Sequence, residues 1–220
     1  MKSILLVAAS ASFALALCGG VAQAATQVIG VSPTTTGNQP ETGLDLGIDF
    51  TVAKDVKVYG LGAFTNGSSS IPVSLYSSGG ALLASATISG SPAAGSDYVF
   101  SGLSSALLLT PGTYQIEATY DSSSNKDYNP YEPGGTSSIT FDTLGGALSL
   151  AGDYYNYPGV GGMATTPDAL STGGYGAGTF EASAVPEPAT WAIMLAGLIG
   201  LGAILRVGGR RKNAGLIATS

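Results

Sequence analysis

The chain has 220 residues, a net charge of −6, one cysteine and no histidine. The missing histidine excludes Ser-His-Asp and Cys-His catalysis and every histidine metal site. Fourteen acidic residues lie between Glu41 and Glu187 against Lys54, Lys57 and Lys126, a net charge of −11 for that stretch, which repels nucleic acid and anionic headgroups and leaves no basic patch to bind them.

At the amino end, Lys2 precedes an apolar run from Ile4 to Leu17, and Ala22-Gln23-Ala24 follows as a small-x-small pattern. Residues 1–24 therefore read as a signal peptide cleaved after Ala24, and the protein as one that is exported. Cys18 does not make a lipoprotein site, because Leu17 stands where lipidation needs a small residue. Cleavage removes this cysteine, so the exported chain has no disulfide, thiol nucleophile or cysteine ligand.

Residues 26–183 suffice for one domain with a real core. Leu44, Leu46, Ile48, Phe50 and Val52 alternate with Asp45, Gly47, Asp49 and Thr51, the period of a half-buried strand. Val56 to Leu61 repeats the signal, with Val56 and Val58 facing one side and Lys57, Tyr59 and Leu61 the other. After the Asn66-Gly67 turn, Ile71, Val73 and Leu75 resume it. Gly79-Gly80 turns into Leu82–Ile88. Beyond Pro92 come Tyr98-Val99-Phe100, the run Leu107-Leu108-Leu109, a Pro111-Gly112 turn, and Thr113 to Tyr120 with Tyr114, Ile116 and Ala118 on one face. Asp121 to Pro133 reads as a polar loop, Ser138 to Asp142 as a strand, Gly152 to Gly174 as a second irregular stretch, and Ala177 to Ala182 as the closing strand. Short, evenly spaced strands without a helical period between them predict an all-β fold, an antiparallel β-sandwich of jelly-roll-like form.

The chemistry-bearing residues of this body have ordinary explanations. Asp45 and Asp49 share a strand face and are expected to be solvated rather than to work as an acid and base, although a carboxylate-dependent hydrolase remains an alternative function. Ser123 and Lys126 match a Ser-x-x-Lys spacing, but any serine run produces that match. Asp121, Asp127 and Glu132, with Asn125 and Asn129, offer oxygen donors to calcium; Pro130 stands where an EF-hand needs its glycine. Tyr128, Tyr131, Tyr154, Tyr155 and Tyr157 concentrate in the two long loops, where tyrosines can stack on sugar rings, so a carbohydrate-binding module is a second alternative. No cofactor is expected.

The carboxyl end carries the most specific signal. Val185-Pro186-Glu187-Pro188 leads through Trp191 along an uncharged run, residues 189–205, closed by Arg206, Arg210, Arg211 and Lys212; residues 213–220 follow as a short tail. Pro186 and Pro188 suit an extended approach and a first helical turn. The run then spans about 25 Å as a helix, enough for a minimal transmembrane crossing if Trp191 and the arginines anchor its edges. The basic cluster stays cytoplasmic and the body outside. Ala192, Ala196 and Gly200 recur every fourth residue as a small-residue face.

Residues 184–212 in this order resemble the PEP-CTERM sorting signal of Gram-negative bacteria, a Pro-Glu-Pro motif, a short span and a basic end. The basic cluster here is interrupted by Val207-Gly208-Gly209, and the chain runs on past it. The resemblance implies that the membrane protease exosortase recognises the tail and cuts near the motif, that the protein is inner-membrane anchored before processing and at the cell surface or extracellular afterwards, and that it is linked to exopolysaccharide and biofilm matrix. The segments Leu46–Val52, Val58–Gly62, Val73–Tyr76, Ala81–Thr87, Leu109–Tyr114 and Tyr175–Phe180 also look like a β-sandwich module that such proteins often carry, one without an assigned activity.

Overall fold

The computed structural model describes residues 24–32, 39–40, 43–65, 67, 70–120, 128–129, 138–159, 161–168 and 174–186, with 194, 195 and 197–199 in the tail. The body is all-β. Its strands are β1 (Thr26–Gln27), β2 (Ile29–Ser32), β3 (Gln39–Pro40), β4 (Leu44–Val52), β5 (Val56–Phe64), β6 (Ile71–Ser77) and β7 (Leu82–Ile88). There follow β8 (Tyr98–Leu109), β9 (Gly112–Tyr120), β10 (Tyr128–Asn129), β11 (Ser138–Phe141), β12 (Leu148–Asn156), β13 (Thr166–Pro167) and β14 (Gly178–Ala184).

Two main sheets, ordered β1-β14-β5-β8 and β13-β12-β4-β9-β6-β7, account for most of these strands, and two small ladders, β2 with β11 and β3 with β10, account for the rest. All the pairings are antiparallel. The chain crosses between the two main sheets at β4–β5, β5–β6, β7–β8 and β8–β9, while β6–β7 and β12–β13 turn within one sheet.

That core follows from the alternation. Leu46, Ile48, Phe50 and Val52 of β4, Ile116, Ala118 and Tyr120 of β9, and Val73 and Leu75 of β6 project from the six-stranded sheet; Val56, Val58, Leu61, Phe180 and Ala182 meet them from the other. The Phe50 and Phe180 ring centroids lie 4.9 Å apart, and Phe50 also stacks on Tyr114 at 5.9 Å. Fully burying each such side chain contributes roughly 1.5–3 kcal/mol. Buried hydroxyls find acceptors: Tyr120 donates to the Phe64 carbonyl at 3.0 Å and Tyr98 to the Gly176 carbonyl at 2.6 Å.

Three strands depart from the sequence expectation, each at a bulge. In β5 the register shifts between Val58 and Gly60, so Tyr59 is the extra residue and Leu61, expected on the side of Lys57, turns into the core. In β8 the partner of Gly60 is Gly102 and that of Val58 is Leu107, so Leu103–Ala106 bulge from the ladder and the two expected short runs belong to one strand. In β12 the register shifts between Leu150 and Gly152, which breaks the period of two. The stretch from Gly152, expected to be irregular, is strand as far as Asn156.

The chain divides into two units, Met1–Ala184 and Val185–Ser220. In the second, residues 194, 195 and 197–199 are helical, and among the described residues no helix is long and apolar enough to cross a membrane. The expected signal peptide 1–24 lies outside the described residues except for Ala24, as does most of the 189–205 run.

Candidate functional site

The outer face of the six-stranded sheet gathers polar side chains from four neighbouring strands. β4 contributes Asp45 and Asp49, β9 contributes Gln115, Glu117 and Thr119, β6 contributes Ser74 and Tyr76, and β12 contributes Asn156. Asp45 pairs opposite Thr119 on one side and Asn156 on the other; Glu117 lies opposite Gly47 and Ser74, and Gln115 opposite Asp49 and Tyr76.

Water does not reach most of this face. A glycine-rich strap, residues 157–159 and 161–165, returns across it after β12. The Gly159 N–H donates to the Gly43 carbonyl and the Gly161 N–H to Asp45 Oδ1 at 3.2 Å. Gln115 clamps the strap from below: its Oε1 accepts from the Ala164 N–H at 2.7 Å, and its Nε2 donates to the Ala164 carbonyl at 3.0 Å and to Asp49 Oδ1 at 2.8 Å. Asn156 closes the far end, donating to the Met163 carbonyl at 3.1 Å and accepting from the Thr165 N–H at 2.9 Å. Two glycines permit the approach. A Cβ on Gly47 would lie 2.7 Å from the Gln115 carboxamide and 3.0 Å from Ala164 Cβ, and one on Gly159 would lie 2.6 Å from the backbone of Leu44.

Asp45 and Gln115 are consequently 0 % exposed and Glu117 1 %. This corrects the expectation that Asp45 is solvated; Asp49 is half-buried. Burial pushes the Glu117 carboxyl from its ordinary 4.5 up to about 8; the Thr119 hydroxyl, donating to Glu117 Oε1 at 2.7 Å, opposes the shift, while the charge of Asp45 and a hydrogen bond to it add to it. At neutral pH Glu117 therefore keeps its proton and donates it to Asp45. Burial also raises Asp49, against the Gln115 hydrogen bond, and raises the Tyr76 phenol, which faces both Glu117 and Asp45. The arrangement holds a proton between two carboxyls and holds the strap to the sheet. Glycoside hydrolysis needs carboxyls about 5–9.5 Å apart with room for sugar and water between them, and this roofed, hydrogen-bonded pair has no such room.

Sequence reasoning missed Gln115, Glu117 and Thr119. The signal was there: they alternate along β9 opposite the alternating Asp45 and Asp49 of β4, two polar rows side by side.

The residues singled out from the sequence are scattered. Tyr154 and Tyr155, expected in a loop, are consecutive residues of β12 and face opposite sides of the sheet, with Tyr155 packed against the core. Tyr157, at the start of the strap, is 74 % exposed. These three do not form one stacking platform. Tyr128 lies in β10, its backbone paired with Pro40 of β3. Val185 and Pro186 follow β14 in neither helix nor strand, and Ala24 is exposed. Ala22, Tyr131, Asp121, Asp127, Glu132, Ser123, Lys126, Glu187, Pro188, Trp191, Arg206, Arg210, Arg211 and Lys212 lie outside the described residues. Among the described residues no group of three or more acidic or other ligating side chains is placed to hold a metal ion.

Compared with protein-family models, curated proteins and solved structures, the chain finds no match in any of the three.

Proposed function

We propose that this is an exported protein whose body, a jelly-roll-like β-sandwich, is displayed or released after its carboxyl-terminal sorting signal is recognised and cut by exosortase. One observation carries the reading. The last strand of the body ends at Ala184 and the chain divides between Ala184 and Val185, so Val185-Pro186-Glu187-Pro188 begins at the first residue past the folded domain. A proline-flanked segment there stays extended, because Pro186 and Pro188 fix φ and withhold N–H donors from any further strand pairing.

The uncharged run 189–205 then holds the motif at the outer edge of the inner membrane, and Arg206, Arg210, Arg211 and Lys212 keep the end of the chain cytoplasmic. The processed product is a surface or extracellular matrix component associated with exopolysaccharide. Its acidic, histidine-free body suits a structural role better than a catalytic one.

Intact-mass analysis of the exported protein from hosts with and without exosortase tests this. The expected result is a product shortened near Pro186–Pro188 only where exosortase is present. A tail retained in both hosts reduces the segment to a plain anchor.

A further inference from the structure

The strap on the six-stranded sheet passes over a pair of carboxyls. Gly161 is bonded to Asp45 Oδ1, and a Cβ built on it would lie 4.0 Å from Thr119 Oγ1. Three residues on, Ala164 is bonded to Gln115. Glu117 stands between Gln115 and Thr119 on the same face of β9, so the strap from 161 to 164 runs over it, and water reaches neither Glu117 nor Asp45. The groups around Glu117 come from every neighbouring element: Gln115 and Thr119 of β9, Asp45 and Asp49 of β4, Ser74 and Tyr76 of β6, and Asn156 of β12. The strap adds one titratable side chain, Tyr157, which is 74 % exposed. Every charge that these groups can carry is negative. Glu117 and Asp45, ionised together, would therefore repel each other in a dry site with no cation among its neighbours to offset them.

We infer that the strap is a lid latched by the proton that Glu117 shares with Asp45: it lies closed while Glu117 is protonated and lifts off the sheet as Glu117 ionises. With the proton in place, Glu117 donates to Asp45, and Asp45 Oδ1 still accepts the Gly161 N–H. Once it is lost, two anions lie beneath the strap, and lifting the strap lets water solvate both. The strap is built to lift. Gly161 and Gly162 have φ of +75° and +141°, conformations that glycine adopts and leaves without strain. Among its described residues Ala164 is the only fully buried apolar side chain, so opening costs polar contacts that water can replace rather than apolar burial. The sign follows from linkage. Exposed, Glu117 returns toward its ordinary 4.5, and beneath the strap it is pushed up to about 8. Opening between those values releases a proton, so the open fraction rises by up to about tenfold per pH unit and levels off above about 8, where the closed form has lost the proton as well. Burial raises Asp49 in the same direction. The inference stands whether or not the tail is cut.

Hydrogen exchange of the full chain in detergent micelles from pH 5 to 9, corrected for the intrinsic exchange rate, is the test. The amides of Gly161 and Ala164 report the strap, and those of residues 46–50 report the sheet beneath it. Strap protection should fall by up to about tenfold per pH unit to about pH 8 and then level off, and at every pH it should lie at least about tenfold below that of the sheet, the mark of local opening. Glu117→Gln keeps a donor toward Asp45 and cannot ionise; with an unchanged far-ultraviolet circular dichroism spectrum, it should lose most of the fall. The wild-type profile is decisive without the variant: strap protection that stays flat from pH 5 to 8, or strap amides that exchange in step with the sheet as global unfolding requires, would overturn the latch. A fall undiminished in Glu117→Gln would overturn it too.

Discussion

Glu117 shows how a residue's chemistry is decided by what covers it. Below about pH 4.5 both the unfolded and the folded chain hold its proton; between there and about 8 the unfolded chain releases it and the folded chain keeps it. Glu117 therefore withdraws stability as pH rises through this window, and Asp49, raised in the same direction, adds to the loss. Denaturant unfolding across pH 4–9 should show wild-type stability falling with pH, and Glu117→Gln, which cannot ionise, should fall distinctly less; parallel profiles would contradict the assignment. The apolar counterpart is Phe180, fully buried against Phe50. Phe180→Ala removes that contact across the two sheets and should cost about 3–5 kcal/mol in the same measurement. Phe180 was legible in the sequence as a residue of the closing strand. The burial of Glu117 was not, because a carboxylate alternating with apolar residues reads as a solvated face unless something distant folds over it.

At the scale of elements, the strap is fastened by polar contacts rather than by apolar packing. Gln115 bonds both the N–H and the carbonyl of Ala164. Replacing it by alanine leaves those groups without their partner, at about 1–3 kcal/mol for a buried polar group. Gln115→Ala should therefore make residues 157–165 the first site of limited proteolysis, while the strands resist. Gly159→Ala should act likewise for a steric reason, since its Cβ would fall 2.6 Å from the Leu44 backbone; equal cleavage rates in wild type and both variants would show that the strap is held elsewhere. The sequence made β4, β6, β7 and β9 readable because each keeps a period of two along most of its length. Bulges hid the rest. A single inserted residue moves every later side chain to the other face, so Tyr59 in β5 and the step after Leu150 in β12 disguise continuous strands.

At the scale of the whole molecule, the charges divide by position: an acidic body, then an uncharged run, then four basic residues. The proposed export with the basic end held inside would place Ser220 in the cytoplasm. Cleavage of the proposed signal peptide would remove Cys18, so Ser220→Cys would supply the one thiol of the exported chain before its tail is cut. An impermeant maleimide should label it only after the inner membrane is broken, and labelling of intact spheroplasts would reverse the topology. The sequence by itself determined the all-β class, most of the long strands, and the order of motif, apolar run and basic cluster, because periodicity, hydropathy and charge order are local properties that each segment carries alone. Only the tertiary structure decided that Asp45 and Glu117 share a roofed site, that Tyr154 and Tyr155 belong to a strand, and that β7 and β8 lie together at one edge. Each of those depends on which distant segments meet: the strap that roofs Asp45 lies more than a hundred residues further along the chain, and no pattern within either segment encodes that meeting.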